Sequence, residues 1–510
     1  RPANELVALY PLLAHHWSKA EEKARALEYL HKAGDSALEG FANVEAARFF
    51  ERALALCEAV PDAGAVHLLG VSGGLAEASF RNGRFDACLA HGQRALAILG
   101  ATPARSTLTT IFGLLRAVSR QLLRAALPRL FGGQLQDGRE DRLAATRLFA
   151  QRAEIAIYTE DALKCVYSAL RALNLSEPAG PSAELARAYA VMTIIIGAAP
   201  MPRVADAWTD RAVRLARELD QPLDRGFVLC RCGAYNLYRA RWQVTRDYTT
   251  EARALGERLG DRRLREEALA VSQFGHVFQG AFGDALPVLE SLVASARGSG
   301  NAQTLGWGRS GRAYVLARLG RPAEALHEAD QLEAWTATCS SSEQVLGLAG
   351  LTAAHLAAGD LDTARQYADR ANALLGRPIA YWLLLGIEAA ADVYAALHAR
   401  GDADALPKLA RMAKLARSFG KVFVFGESAG LYLTGVHEAV RGRAALALPQ
   451  WQRCIERSEA LGTRFELMRA HRALASHLPE ADPERALHAA RADAVYAELA
   501  GDPGLSAAPA

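Results

Sequence analysis

Asn82-Gly83-Arg84-Phe85-Asp86-Ala87-Cys88 decides how this chain is read. A glycine sits between two helical patterns, and small residues follow at Cys88 and Ala95. That spacing is close to two helical turns, so both small residues fall on one face. The same phrase returns in Leu319-Gly320-Arg321-Pro322-Ala323-Glu324-Ala325-Leu326 and in Ala358-Gly359-Asp360-Leu361-Asp362-Thr363-Ala364, followed by Ala371. It returns again in Arg400-Gly401-Asp402-Ala403-Asp404-Ala405 and in Arg441-Gly442-Arg443-Ala444-Ala445-Leu446. The turn glycines at 280, 320, 359, 401 and 442 lie 40, 39, 42 and 41 residues apart. A second series is Leu99-Gly100, Leu259-Gly260, Leu375-Gly376, Phe419-Gly420 and Leu461-Gly462. It places glycine where a helix stops in the left-handed conformation.

Each unit therefore reads as helix, glycine turn, helix, glycine stop. One helix pair cannot bury its apolar face, but stacked pairs can. Small residues let the helices approach, and larger ones such as Phe49, Phe50, Leu54 and Leu56 fill the remaining space. No run of period-two alternation suggests a sheet. The expected fold is all-α, a helical-hairpin solenoid wound as a right-handed superhelix of about a dozen helix pairs. Composition agrees: of 510 residues, 51% are hydrophobic and only 7% aromatic, which favours helix over strand. It excludes collagen-like, disulfide-stapled and mainly disordered chains. Size alone suggests three or four domains, but the repeat suggests one array with a break near Leu127–Gly138 (LPRLFGGQLQDG). The 59 basic and 56 acidic residues nearly cancel, so no global field selects a partner class.

These residues resemble tetratricopeptide repeats. Ala46, Phe50, Ala53 and Leu56 match that family's second-helix pattern. So do Gly83, Phe85, Cys88 and Ala95, with Cys88 in place of the usual alanine. The family unit is 34 residues and these units are near 40. Longer helices of this kind look like the degenerate repeats in C-terminal regions of bacterial signalling ATPases. The resemblance covers about residues 22–100 and 220–500, and the middle is helical with less defined repeats.

The opening segment carries a narrower resemblance. Leu9-Tyr10-Pro11-Leu12-Leu13-Ala14-His15-His16-Trp17 is followed by Ala26-Leu27-Glu28-Tyr29-Leu30 and by Lys32-Ala33-Gly34-Asp35-Ser36-Ala37-Leu38. Then comes Phe41-Ala42-Asn43-Val44-Glu45-Ala46-Ala47-Arg48-Phe49-Phe50. This looks like the junction after the ATPase module in bacterial proteins that join a class III adenylate/guanylate cyclase, a signal-transduction ATPase and C-terminal repeats. The resemblance implies a cytoplasmic, non-catalytic regulatory region whose catalytic domains lie upstream of Arg1. The lack of an initial Met agrees with a fragment. On this reading residues 1–60 are junction helices and a first repeat. Residues 61–135 are a repeat plus a basic amphipathic helix, and 136–510 are the array. The concave face of the array would bind a protein, a peptide or the upstream domains of the same chain.

Catalytic chemistry finds little support. No G-x-x-x-x-G-K-[ST] occurs, and Gly420-Lys421 lacks the upstream glycine. His327-Glu328 and His437-Glu438 lack the second histidine of a helical zinc site. Cys230 and Cys232 would point roughly 200° apart on a helix, so they cannot chelate together. Cys57, Cys88 and Cys454 lie in helical apolar patterns and read as buried thiols of a reducing compartment. Gly426-Glu427-Ser428-Ala429-Gly430 follows the strand-like Val422-Phe423-Val424-Phe425 and resembles the serine segment of carboxylesterases. It makes Ser428 the nucleophile of a remote hydrolase alternative. Neither surrounding strands nor an H-G-G-G segment supports it, and Gly70-Val71-Ser72-Gly73-Gly74 matches the same pattern. No catalytic, cofactor-binding or metal residue is assigned.

Three further features bear on partners. His15-His16-Trp17 reads as a cluster closing its helix against a neighbour. Arg116, Arg120 and Arg124 recur every four residues within Ile111–Leu130. Such a basic amphipathic stretch suits a membrane surface or a partner helix. The simpler reading, preferred here, is an arginine-rich solvated face on a packed helix. Without aromatic–basic interleaving it does not read as a nucleic-acid surface. A small-molecule sensor, like the repeat region of the maltose-regulon type of transcription activator, is the alternative. It requires an enclosed polar pocket with aromatic walls, to which Tyr235, Tyr238 and Trp242 could contribute. These three, with Trp208, Trp307, Trp335, Trp382 and Trp451, read first as packing between helices.

Overall fold

The computed structural model describes residues 6–104, 106–127, 133, 135, 137–199 and 201–501. Among them it holds 25 α-helices and no strand. The chain divides into two compact units, Arg1–Met192 with Arg214–Leu219, and Thr193–Val213 with Asp220–Ala510.

The first unit contains α1 (Tyr10–Lys19), α2 (Lys23–Glu39), α3 (Asn43–Ala59), α4 (Pro61–Arg81), α5 (Phe85–Ile98), α6 (Thr107–Ala126), α7 (Arg139–Tyr158) and α8 (Ala162–Ala179). Next come α9 (Ala183–Gly197) and α10 (Pro202–Glu218), which both cross the division. The second unit continues with α11 (Pro222–Tyr238), α12 (Trp242–Leu259), α13 (Arg262–Gln279), α14 (Phe282–Ser299), α15 (Ala302–Arg318), α16 (Pro322–Ala329) and α17 (Glu333–Thr336). It ends with α18 (Ser341–Ala357), α19 (Leu361–Leu374), α20 (Leu383–Ala399), α21 (Ala405–Gly420), α22 (Glu427–Val440), α23 (Ala444–Leu461), α24 (Arg464–His477) and α25 (Glu484–Ala500). Most successive helices pack as hairpins, and many also touch the next helix but one, whereas α6 packs on α8 instead of on its chain neighbours. This is the tetratricopeptide-like arrangement that the glycine series implied.

The turn glycines sit in the left-handed region, with φ of 72° at Gly83, 77° at Gly280, 68° at Gly320, 81° at Gly359, 92° at Gly401 and 72° at Gly442. Gly100, Gly260 and Gly462 stop their helices there too. Gly376 and Gly420 do not. α19 ends instead on extended Leu375. Gly420 stays helical, and a Cβ on it would lie 2.9 Å from Glu427 Cα, so it serves close approach rather than a turn. Glu21, Phe41, Glu160 and Ala240 take the same left-handed turn without glycine, at φ of 56° to 60°. The segment with less defined repeats therefore contains a regular turn, at Glu160 between α7 and α8.

Phe50 centres the core of the first unit among Ala14, Leu27, Leu30, Ala53 and Leu75. A Cβ on Gly34 would lie 2.6 Å from its ring, so the bare glycine admits it. The largest core of the second unit runs from Ala205 to Leu499, with smaller clusters around Trp451 and Leu269, and its early and late helices meet. The Trp242 indole Nε1 donates to the Leu461 carbonyl at 2.6 Å, across 219 residues. A Cβ on Gly280 would lie 2.7 Å from Phe465 N, and one on Gly283 would lie 2.8 Å from Ala500 O. Thus α12–α14 pack on α23–α25. Among the described residues, no helix is long and apolar enough to cross a membrane.

Candidate interaction surface

Helix α6 carries the Arg116, Arg120 and Arg124 series. Ser106 starts it with a reciprocal cap. Its Oγ accepts from Thr109 N at 3.2 Å, and its own N donates to Thr109 Oγ1 at 3.0 Å. The helix lies on α8, its principal packing partner. The face turned to α8 is small and polar. Thr110 and Ala117 are buried there, and a Cβ on Gly113 would lie 2.6 Å from the Tyr167 ring. Gln121 Nε2 donates to Asn174 Oδ1 at 2.8 Å and to Glu177 Oε2 at 2.9 Å, and Asn174 Nδ2 donates to the Ala117 carbonyl. Arg124 Nε lies 3.5 Å from Glu177, whose other oxygen accepts from Tyr189. These contacts fix the rotation of α6 about its axis.

Arg116 and Arg120 are exposed, as the solvated-arginine reading expected, but that reading did not foresee a second solvated face. The apolar face is solvated as well. Leu108 is 70% exposed, Phe112 70%, Leu115 58% and Leu122 65%, and Ile111, Val118 and Leu123 are also exposed. Full burial of such a side chain contributes about 1.5–3 kcal/mol. A stripe that forgoes this along a whole helix marks an interaction surface. Arg116 and Arg120 are exposed too, with Arg120 on the Gly113 side of the helix near Arg171 and Glu177 of α8. The sequence signal that reveals this orientation is the Gly113, Ala117, Gln121 and Arg124 row opposite the leucines.

The other sequence candidates go elsewhere. Ser428 is fully buried at the start of α22, and its hydroxyl accepts from Thr463 Oγ1 at 2.9 Å. The strand-like run before it is no strand. Val424–Gly426 is a single 3-10 turn, and Phe423 and Phe425 are buried in the aromatic core. A nucleophile elbow needs an exposed serine on a strand-to-helix turn, so this geometry removes the hydrolase reading of Ser428. Ser72 is likewise buried, within α4. His15 and His16 are exposed rather than closing a helix. Ala14 makes the buried contact, and Trp17 stacks beneath Arg25 at 4.5 Å. Cys230 and Cys232 are fully buried, and burial pushes both thiols far up. His31 Nδ1 lies 2.9 Å from His67 Nδ1, and His471 Nδ1 lies 2.8 Å from His488 Nδ1. Burial and the neighbouring ring lower His31 and His471 to about 4. No group of three His, Cys, Asp or Glu among the described residues is placed to hold a metal ion.

In the second unit aromatic side chains fill the space expected to be an open concave face or an aromatic-walled pocket. Tyr238 meets Phe423 edge-on at 4.8 Å, Phe278 stacks on Phe425 at 4.3 Å, and Tyr381 sits 5.1 Å from Phe274. Tyr235 donates to Asp206 at 2.8 Å, and Arg241 bridges to the same carboxylate at 2.7 Å. Tyr235, Tyr238 and Trp242 are thus packing residues. Against Phe465 and Tyr432 lies a charge cluster that nothing in the sequence linked. Arg318 Nη1 pairs with Asp392 at 2.6 Å, Arg469 pairs with the other Asp392 oxygen, and Tyr314 donates to Glu388 at 2.9 Å. Burial raises the Asp392 carboxyl, but Arg469 and Arg318 outweigh it and hold it below the usual range. Burial and the nearby Glu388 push Glu466 well up.

No protein-family model matches the chain, and no curated protein matches it. Among solved structures it is similar to the "Crystal Structure of Rap Protein Complexed with Competence and Sporulation Factor". That match has a TM-score of 0.42 and 12% identity, covering 77% of this chain and 98% of that one.

Proposed function

We propose that this chain is a non-catalytic helical-repeat scaffold that binds a protein or peptide partner. The observation that carries this is the outward apolar face of α6, locked in place by a polar inner face. The groups that chemistry could use support it from the other side, since Ser428, Cys230 and Cys232 are sealed in packing. The resemblance of the opening segment suggests the setting: residues 1–60 as the junction to an upstream ATPase module, and partner binding as a bias on upstream ATPase or cyclase domains. Such coupling equals the partner's difference in affinity for two states of the whole protein.

A photo-crosslinking residue at each of the exposed positions Leu12, Val66, Phe112, Ile379 and Leu446 tests the scaffold in its own cells. Adducts with a distinct protein at one or more positions are expected. No adduct at any position overturns the reading.

A further inference from the structure

We propose that closure of the second unit is linked to one proton, which Glu388 of α20 and Glu466 of α24 share inside the charge cluster. Releasing it sets two buried carboxylates against each other and loosens α24 from α20. Charge counting carries the inference. Arg318 and Arg469 bring two positive charges, and Asp392 accepts from both. Glu388 supplies the second negative charge. It accepts from Tyr314 at 2.9 Å and lies 3.8 Å from Arg469. Two cations and two anions are then balanced. Glu466 is a third carboxyl against the same two cations, within hydrogen-bonding reach of Glu388. Glu388 and Glu466 are 3% and 5% exposed, and Glu388 Oε1 and Glu466 Oε2 are buried without receiving a hydrogen bond. A buried charge without a counter-charge neutralises instead of persisting. A shared proton does this, turning two facing acceptors into a donor and an acceptor.

The groups around the pair leave that balance in place. Burial keeps Tyr314 of α15 protonated. Tyr432 of α22 lies under Arg469 at 4.1 Å. Cys454 of α23 turns its Sγ to the Glu466 carbonyl, 3.9 Å away, and burial pushes its thiol up to about 12. From α25, His488 meets His471 instead. From α13, His276 faces Asp284 and Arg246. Burial first, and Glu388 next, raise the Glu466 carboxyl, against a smaller opposing pull from Arg469. The pair lies on the seam itself. Arg469 reaches Asp392 and Glu388 from α24, while Arg318 and Tyr314 reach the same two acids from α15. The closed form holds the proton and the opened form releases it. Closure therefore weakens as pH rises from the ordinary glutamate value of about 4.3 towards the raised one.

The test uses the full chain with isotope-labelled glutamate, and its Glu466→Gln and Glu388→Gln variants. Ordinary carboxyls are ionised at about pH 8. Infrared spectroscopy there should show a protonated glutamate carbonyl stretch in the wild type and none in either variant. Glu466→Gln keeps a donor towards Glu388, and Glu388→Gln leaves Glu466 as the second anion of the cluster. Hydrogen exchange in α24 is then compared between wild type and Glu466→Gln at each pH, so that the intrinsic pH dependence cancels. The wild type should open more readily relative to the variant as pH rises, by roughly tenfold per pH unit between about pH 6 and 8, the linkage of a single proton. Absence of the band in the wild type overturns the inference, and that measurement needs no variant to fold. A band that survives Glu388→Gln overturns it too, because burial alone would then protonate Glu466 without sharing. So does an exchange ratio that stays flat across that range.

Discussion

Asp392 accepts from Arg318 and Arg469, which come from helices 74 and 77 residues away. The two guanidiniums keep little contact with water, at 13% and 10% exposure, so both lean on this carboxylate, with Glu388 3.8 Å from Arg469 as a second anion. Removing one member of a buried ion cluster leaves the others uncompensated, which costs more than the pair contributes net. Asp392→Ala should therefore lower stability by about 3–5 kcal/mol in urea denaturation at neutral pH. Replacing Arg318 and Asp392 together by Met and Leu should recover part of that. The depressed carboxyl contributes above its unfolded pKa of about 4, and the contribution is lost as pH falls below that value. The difference between wild type and Asp392→Ala should accordingly shrink in acid. A loss under about 1 kcal/mol at neutral pH would place the cluster among surface-like pairs. None of this was legible in the sequence, where Glu388 is only an interruption in an apolar run.

At the level of elements, glycine does two jobs that its spacing alone does not separate. Gly442 has φ of 72° and open space around it, whereas Gly420 is helical and pressed against Glu427. An L-residue forced left-handed costs roughly 1–2 kcal/mol, and Asn tolerates that conformation better than Ala. Gly442→Asn should therefore be milder than Gly442→Ala in thermal melts. Gly420→Asn should be worse than Gly420→Ala, because there the added atoms clash. Equal ranking at both sites would mean that one mechanism serves both. The glycine period made the hairpin series legible at Gly83, Gly320, Gly359, Gly401 and Gly442. It missed the turns at Glu21, Phe41, Glu160 and Ala240, where other residues take the same backbone. The candidate site was half legible. Amphipathicity showed that α6 has two faces, and only the small, polar contacts to Tyr167, Asn174 and Glu177 decide which one points out.

On the scale of the whole second unit, closure is what the repeat pattern could not announce. A simple solenoid is a chain of nearest neighbours, in which damage to one repeat is felt only beside it. Here α12 touches the end of α23 through Trp242 and Leu461, and α13 and α14 touch α24 and α25 through Gly280 and Gly283. The aromatic core, with Phe423 and Phe425 beside Tyr238 and Phe278, spans the gap that an open array would leave. Trp242→Ala removes the indole hydrogen bond and a buried ring together, a loss of about 3–5 kcal/mol for a core tryptophan. In a closed unit, local opening then spreads to both ends of the contact. Hydrogen exchange should quicken in α12 and in α23–α25 together, with 219 residues between Trp242 and Leu461. Acceleration confined to α11–α13 would mean that the ends touch without supporting each other, and that the second unit behaves as an open stack.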